Sequence, residues 1–178
     1  MKLIFVRHGN DDKNGKLTRT GKKQAKLVCA DLDYENINKI YCSPTSRTIE
    51  TAGIISRELK IKNVVVDNRI TEREKLPNSL SQKEKDEFNA NYLNPNFSRV
   101  NPEGCKEYVD RITAFLDDII KNNSQDDTIL IVGHSSMLYV VNSYIYKTPK
   151  NKDIIWTRMG NCSKICYEVW IKTIFTQC

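Results

Sequence analysis

Long hydrophobic runs are missing from this chain. No stretch approaches the roughly 20 apolar residues that a membrane-spanning helix needs, so no membrane partner is expected. The N-terminal apolar run is too short for a secretory signal and no small-residue cleavage site follows it, which makes a cytoplasmic protein the expectation. Runs of one charge sign are missing too. The 28 Lys and Arg are interspersed with 22 Asp and Glu, no five like charges adjoin, and no basic helix is interleaved with aromatics. The net charge of +6 therefore reads as a basic surface that attracts anions, phosphorylated substrates among them, and not as a nucleic-acid-binding face. The six cysteines (Cys29, Cys42, Cys105, Cys162, Cys166 and Cys178) are too widely spread for a disulfide framework. Cys162 and Cys166 are the one close pair. At that spacing on a strand they share a face but stand too far apart to bind one metal ion. Buried free thiols are the preferred reading.

What is present suffices for one domain. The 178 residues are 39% hydrophobic and 28% charged, the balance of a globular chain with one core. Apolar periodicity predicts strands at 2–7, 39–42, 63–66, 128–132 and 165–170, the last pairing with 154–157. It predicts helices at 20–32, from Pro44 to about 59, at 103–121 and at 135–146. Thr18 or Thr20 is positioned to cap the first helix, and Ser43 the second. Continuous apolar strands joined through helices predict an α/β fold, a three-layer α/β/α sandwich with a mostly parallel central sheet. Residues 70–104 are polar, carry Pro77, Pro95 and Pro102, and hold one candidate helix at 81–92. A segment of that length is expected to be a lid or insertion over the site of a single domain spanning 1–178.

The chain has only two histidines, and both follow predicted strands beside a glycine: Arg7-His8-Gly9 and Gly133-His134-Ser135. A third strand runs into "CSPTSRTIETA", which puts Arg47 on the first turn of a helix. The helix dipole disfavours a cation there by a few tenths of a kcal/mol, and a bound anion would compensate. Ligands in such folds sit beyond the carboxyl ends of the strands. Two arginines, two histidines and two helix N-termini converging there make an anion site, and phosphate uses all of it.

These residues resemble the histidine phosphatase superfamily, the phosphoglycerate mutase-like proteins. Arg7-His8-Gly9 matches its signature, "LTRTGKKQA" the stretch that follows, "CSPTSRTIETA" its Ser-Pro-x-x-Arg helix and "VGHSS" its second histidine. "GCKEYVDR" matches the start of a late helix, with Cys105 where the family has an acid. The resemblance implies that His8 is the nucleophile, attacking phosphorus through an unprotonated ring nitrogen while the other nitrogen donates its proton to a backbone carbonyl. It implies that Arg7, Arg47 and His134 hold the phosphoryl oxygens, with Ser135 beside them. Asn14 is a candidate phosphoryl contact, and equally a turn residue in "KNGK". A carboxyl group must protonate the leaving alcohol and later activate water. "DNRITEREKLP" offers Glu72 and Glu74, and Glu72 is preferred on its resemblance to the family's Leu-x-Glu-Arg form. No metal or cofactor is required, because arginines and histidines carry the charge.

The expected activity is therefore a metal-independent phosphomonoesterase acting on a phosphorylated small molecule. The alternatives are a phosphoglycerate mutase or a phosphohistidine-protein phosphatase, and the oligomeric state stays open. The Gly-x-Trp-Glu-Gly stretch of the mutases is absent, and Asp11 and Asp12 follow the signature where Glu-Thr or Glu-Ser is common. Both points favour a phosphatase. The two aspartates are expected to face away from the phosphate.

Overall fold

The computed structural model describes residues 1–73, 78–91, 105–147 and 159–169. Five strands form one sheet: β1 (Lys2–Arg7), β2 (Lys39–Cys42), β3 (Val64–Val66), β4 (Thr128–Gly133) and β5 (Lys164–Glu168). Their order is β3-β2-β4-β1-β5. All neighbours are parallel except β5, which runs antiparallel along β1. The helices are α1 (Arg19–Leu32), α2 (Ser46–Glu58), α3 (Gln82–Ala90), α4 (Cys105–Lys121) and α5 (Ser135–Tyr146).

Strand alternation divides the sheet between two cores. Ile4, Val6, Leu130, Val132, Ile40 and Cys42 pack with Ala25, Val28 and Leu32 of α1 and Ala52 and Ile55 of α2. Leu3, Phe5, Ile129 and Ile131 pack on the other face with Tyr108, Ile112, Phe115 and Leu116 of α4 and Leu138 and Val141 of α5. This is the three-layer α/β/α sandwich with a mostly parallel sheet that the apolar runs predict. The edge strands are less buried: β3 leaves Val64 and Val66 exposed, and β5 leaves Cys166 and Glu168 exposed.

Two details correct the sequence reading. Helix α2 begins at Ser46 with Thr45 at the N-cap position, so Ser43 does not cap it. Pro44 and Thr45 intervene, and the Ser43 amide continues the sheet by donating to Val132 O at 3.2 Å. Helix α1 begins one residue early, at Arg19, and Thr18 is the cap, its Oγ1 accepting from the Gly21 amide at 3.0 Å. The predicted pairing strand at 154–157 lies outside the described residues, as does most of the segment between α3 and α4. Within the expected lid, α3 is tied to the core through Phe88, whose ring lies 3.8 Å from the Arg73 guanidinium.

The placement of the site follows from the connections. The chain leaves β1 through α1 on one face and leaves β4 through α5 on the other, while β1 and β4 are neighbours. Their carboxyl ends flank the crevice where such sheets take ligands. The β1–α1 turn is held there by two glycines. A Cβ on Gly9 would lie 2.6 Å from Gly21 O, and one on Gly21 would lie 2.0 Å from Asn10 O. Only backbone can yield to relieve such a contact. Gly21→Ala should therefore cost at least about 2 kcal/mol of stability, at the upper end of overpacking effects, measured by urea unfolding. A variant as stable as the wild type would show that this approach is looser than described.

Candidate active site

Parallel register brings the two histidines together. Arg7 pairs with Gly133, so the next residues, His8 and His134, emerge side by side from neighbouring strands. The His8 amide extends the ladder by donating to Gly133 O at 3.0 Å. The ring centroids lie 5.3 Å apart at an angle of 61°, close to the strand spacing itself. Both side chains are buried, His134 completely.

The hydrogen bonds assign the His8 tautomer. Nδ1 lies 2.8 Å from Gly9 O, an acceptor, and so carries the proton. Arg47 Nε, a donor, points at Nε2 from 3.2 Å, so Nε2 holds the lone pair. The loop behind the ring is fixed as well: the Gly9 amide donates to Thr51 Oγ1 at 3.1 Å, and Asn161 Nδ2 donates to His8 O at 3.0 Å. Burial, with the Arg47 and Arg7 guanidiniums, holds the His8 pKa below the usual imidazole value. The Gly9 carbonyl and Asp11 act in the opposite direction.

His134 is held from behind by Ser43, whose Oγ lies 2.9 Å from Nε2. Its Nδ1 faces Arg47 Nη2 at 3.5 Å and Glu72 Oε2 at 3.7 Å. The first is at the limit of a hydrogen bond and the second beyond it, so Nδ1 is the ring atom turned toward Arg47 and Glu72. Burial pushes the His134 pKa down to about 2, with Arg47, His8, Arg7 and Arg111 adding to the effect.

Arg47 spans the site. It donates Nε to His8 and pairs Nη2 with Glu72. Arg7 donates Nη1 to Met159 O, and its buried Nε has no partner among the described residues. Neither Thr45 nor His134 closes a side-chain cap on α2 or α5. Two helix N-termini thus add their dipoles at the strand ends that hold the guanidiniums.

His8, Arg47, Glu72 and His134 therefore meet at one point, as the sequence predicts. Arg7 stands beside them in the same crevice. Ser135 opens α5 with its Oγ buried and without a hydrogen-bond partner among the described residues. Asn14 is exposed at a loop tip, where its amide donates to Asp12 Oδ1 at 2.8 Å, and its side chain bonds neither histidine. Glu74 lies outside the described residues. Asp12 faces away, as expected, because its carboxylate caps its own turn. Asp11 does not. Its Oδ1 lies 3.9 Å from His8 Nδ1 and its Oδ2 lies 3.8 Å from Arg47 Nε, because adjacent residues of this short hairpin point to opposite sides. Sequence reasoning also missed Thr51 and Asn161 as supports of His8, and Ser43 as the support of His134. Thr51 stands one helical turn after Arg47 on the same face, a signal that was present.

The chain belongs to the histidine phosphatase superfamily (branch 1), whose family model matches residues 3–170. Its fold is phosphoglycerate mutase-like, and it carries the histidine, arginine and glutamate set of a histidine acid-type phosphatase. It is 30% identical over 152 residues to phosphoserine phosphatase 1 of Hydrogenobacter thermophilus, across 76% of this chain and 71% of that protein. Over 80 residues it is 36% identical to the 2,3-bisphosphoglycerate-dependent phosphoglycerate mutase of Thermoplasma acidophilum, across 39% of this chain and 40% of that protein. The solved structure of a mycobacterial glucosyl-3-phosphoglycerate phosphatase superposes with a TM-score of 0.75 at 19% identity, covering 93% of this chain and 88% of that one. At that identity the likeness concerns the fold. Among the described residues, no helix is long and apolar enough to cross a membrane, and no three His, Cys, Asp or Glu side chains cluster as metal ligands.

The neutral histidines have a thermodynamic consequence. Below the unfolded imidazole pKa of about 6.5, the unfolded chain takes up a proton that folded His134 refuses. Stability is fully present above that pH and falls as the pH drops. His134 alone contributes about 1.4 kcal/mol per pH unit, and His8 acts in the same direction. Urea unfolding between pH 7 and pH 4 should show a steeper loss for the wild type than for His134→Gln. Equal slopes would remove His134 as the cause.

Proposed function

We propose that the chain is a metal-independent phosphomonoesterase that hydrolyses a small phosphorylated metabolite through phosphohistidine. The observation that carries this reading is the fixed His8 tautomer: the proton on Nδ1 is bound to Gly9 O and the lone pair on Nε2 is aimed at Arg47. A phosphoryl group gripped by Arg47 meets that lone pair directly. Nε2 attacks phosphorus and the bond to the substrate alcohol breaks. Arg7 and Arg47 neutralise the charge spread over the nonbridging oxygens. His134 donates from Nδ1 to one of them, while the Ser43 hydroxyl supplies a hydrogen bond to Nε2.

Glu72 is the acid. It pairs with Arg47 Nη2, the group that the phosphoryl oxygens need. An incoming phosphoryl takes that guanidinium and frees the carboxyl, which acts in its protonated form. That proton goes to the leaving alkoxide. In the second half of the cycle Glu72 takes a proton from water, and the resulting hydroxide attacks phosphorus and breaks the P–N bond. The relatives named for phosphoserine and glucosyl-3-phosphoglycerate make small phosphate monoesters the substrates to try first. The partial identity to a mutase favours a second reading, in which an alcohol replaces water as the acceptor.

Hydrolysis of para-nitrophenyl phosphate in the presence of EDTA tests the mechanism. Activity should survive the chelator and fall by at least about 10³-fold in His8→Ala. Glu72→Gln should lose about 10²-fold or more on alkyl phosphates, whose alkoxides need the proton, and much less on the nitrophenyl ester. Chelator-sensitive turnover or an active His8→Ala would overturn the mechanism. Efficient conversion of 3-phosphoglycerate to 2-phosphoglycerate would make the mutase reading the better one.

A further inference from the structure

Asp11 is an acid at a site built for an anion, and the fold holds it there. The loop after Gly9 closes as a tight hairpin. The Asp12 amide donates to Lys16 O at 2.8 Å, Gly15 donates to Asp12 O at 3.0 Å, and Asp11 bridges to Leu17. Leu17 is buried and anchors the return strand. The Asp12 carboxylate is occupied by the amides of Asn14 and Lys16. Asp11, on the opposite side of the hairpin, is left facing the histidines.

Among the described residues the Asp11 carboxylate has no hydrogen-bond partner: the nitrogens facing it, Arg47 Nε and His8 Nδ1, stand at 3.8 and 3.9 Å, beyond hydrogen-bond reach. Both direct their hydrogens elsewhere, Arg47 Nε to His8 Nε2 and His8 Nδ1 to Gly9 O. The side chain is 31% exposed, enough to meet a ligand at the mouth of the site. Charge accounting gives it a purpose. Beside the two histidines, Asp11 and Glu72 set two negative charges against Arg7 and Arg47, with Arg111 close enough to act on His134. A phosphoryl group entering this site meets repulsion from Asp11, which a cation on the same substrate offsets.

We propose that Asp11 is a specificity-determining residue that binds the ammonium group of an amine-bearing phosphomonoester. Arg47 Nε lies 3.2 Å from the attacking His8 Nε2 and 3.8 Å from Asp11 Oδ2, so a cation on Asp11 would sit near the phosphoryl group, within reach of a short tether. Esters with a neutral or anionic tail leave the carboxylate unpaired against the phosphoryl group and bind more weakly. This inference rests on the phosphatase reading and deepens it by naming the substrate class.

The test compares kcat/KM for 2-aminoethyl phosphate and 2-hydroxyethyl phosphate, which differ in the cation alone. The wild type should prefer the amine by about tenfold, the effect of one partly buried charged hydrogen bond. Asp11→Asn and Asp11→Ser should abolish that preference, raising KM for the amine ester and lowering it for the hydroxyl ester. In the wild type, added salt should erode the preference as well, a readout that needs no variant. A wild type that hydrolyses both esters equally, or a preference untouched by both substitutions and by salt, overturns the role of Asp11 and leaves the phosphatase reading standing. A wild type inert toward both esters and para-nitrophenyl phosphate overturns both.

Discussion

The hydrogen bond from His8 Nδ1 to the Gly9 carbonyl, 2.8 Å long, decides what this site can do. It pins the proton on the inner nitrogen and leaves Nε2 as a base in the crevice. The rest of the architecture holds that carbonyl in place. Gly9 lies so close to Gly21 that neither tolerates a side chain, its amide is tied to Thr51, and the His8 carbonyl is tied to Asn161. Strand β1, buried along its whole apolar length, and helix α1, capped by Thr18, are in this sense the mounting for one imidazole ring. Burial works with the hydrogen bond, since a ring removed from water gives up its charge more readily than one that is hydrated.

Charge at the site is balanced by handing one group from partner to partner. Arg47 faces three acceptors: the His8 lone pair, Glu72 and, at longer range, Asp11. A guanidinium with five donors in a plane can serve several at once, and each of these partners competes with a phosphoryl oxygen. In the proposed mechanism, binding is an exchange of carboxylate for phosphate on Arg47. Such an exchange discriminates among substrates by the charge they bring and by what happens to the displaced carboxyls. In the proposed mechanism the carboxyl displaced from Arg47, Glu72, becomes the acid, and the neighbouring Asp11 pairs with a cation of the substrate.

The sequence made the frame and the central residues legible because each carries its own signal. β1, β2 and β4 are apolar runs, α1 carries a threonine cap and an amphipathic period, and both histidines and Arg47 stand where strands end. Register then does the rest without further information. The support residues were harder to read. Ser43 precedes a proline and looks like a helix cap, and only the parallel pairing of β2 with β4 shows that it faces His134 instead. Asp11 and Asp12 are identical neighbours, and which of them turns inward depends on the hairpin from Asp11 to Leu17, which has no periodic pattern. Asn161 comes from a segment far along the chain and reaches His8 only because β5 returns beside β1.

The most direct measurement is to quench the enzyme during turnover, map the covalently bound phosphate, and identify the ring nitrogen that carries it. Phosphate on Nε2 of His8, accumulating when Glu72 is replaced by glutamine and absent from His8→Ala, is the expected result. Phosphate on Nδ1, on another residue, or no covalent intermediate under conditions of rapid turnover would contradict the assignment of His8 as a nucleophile held by Gly9.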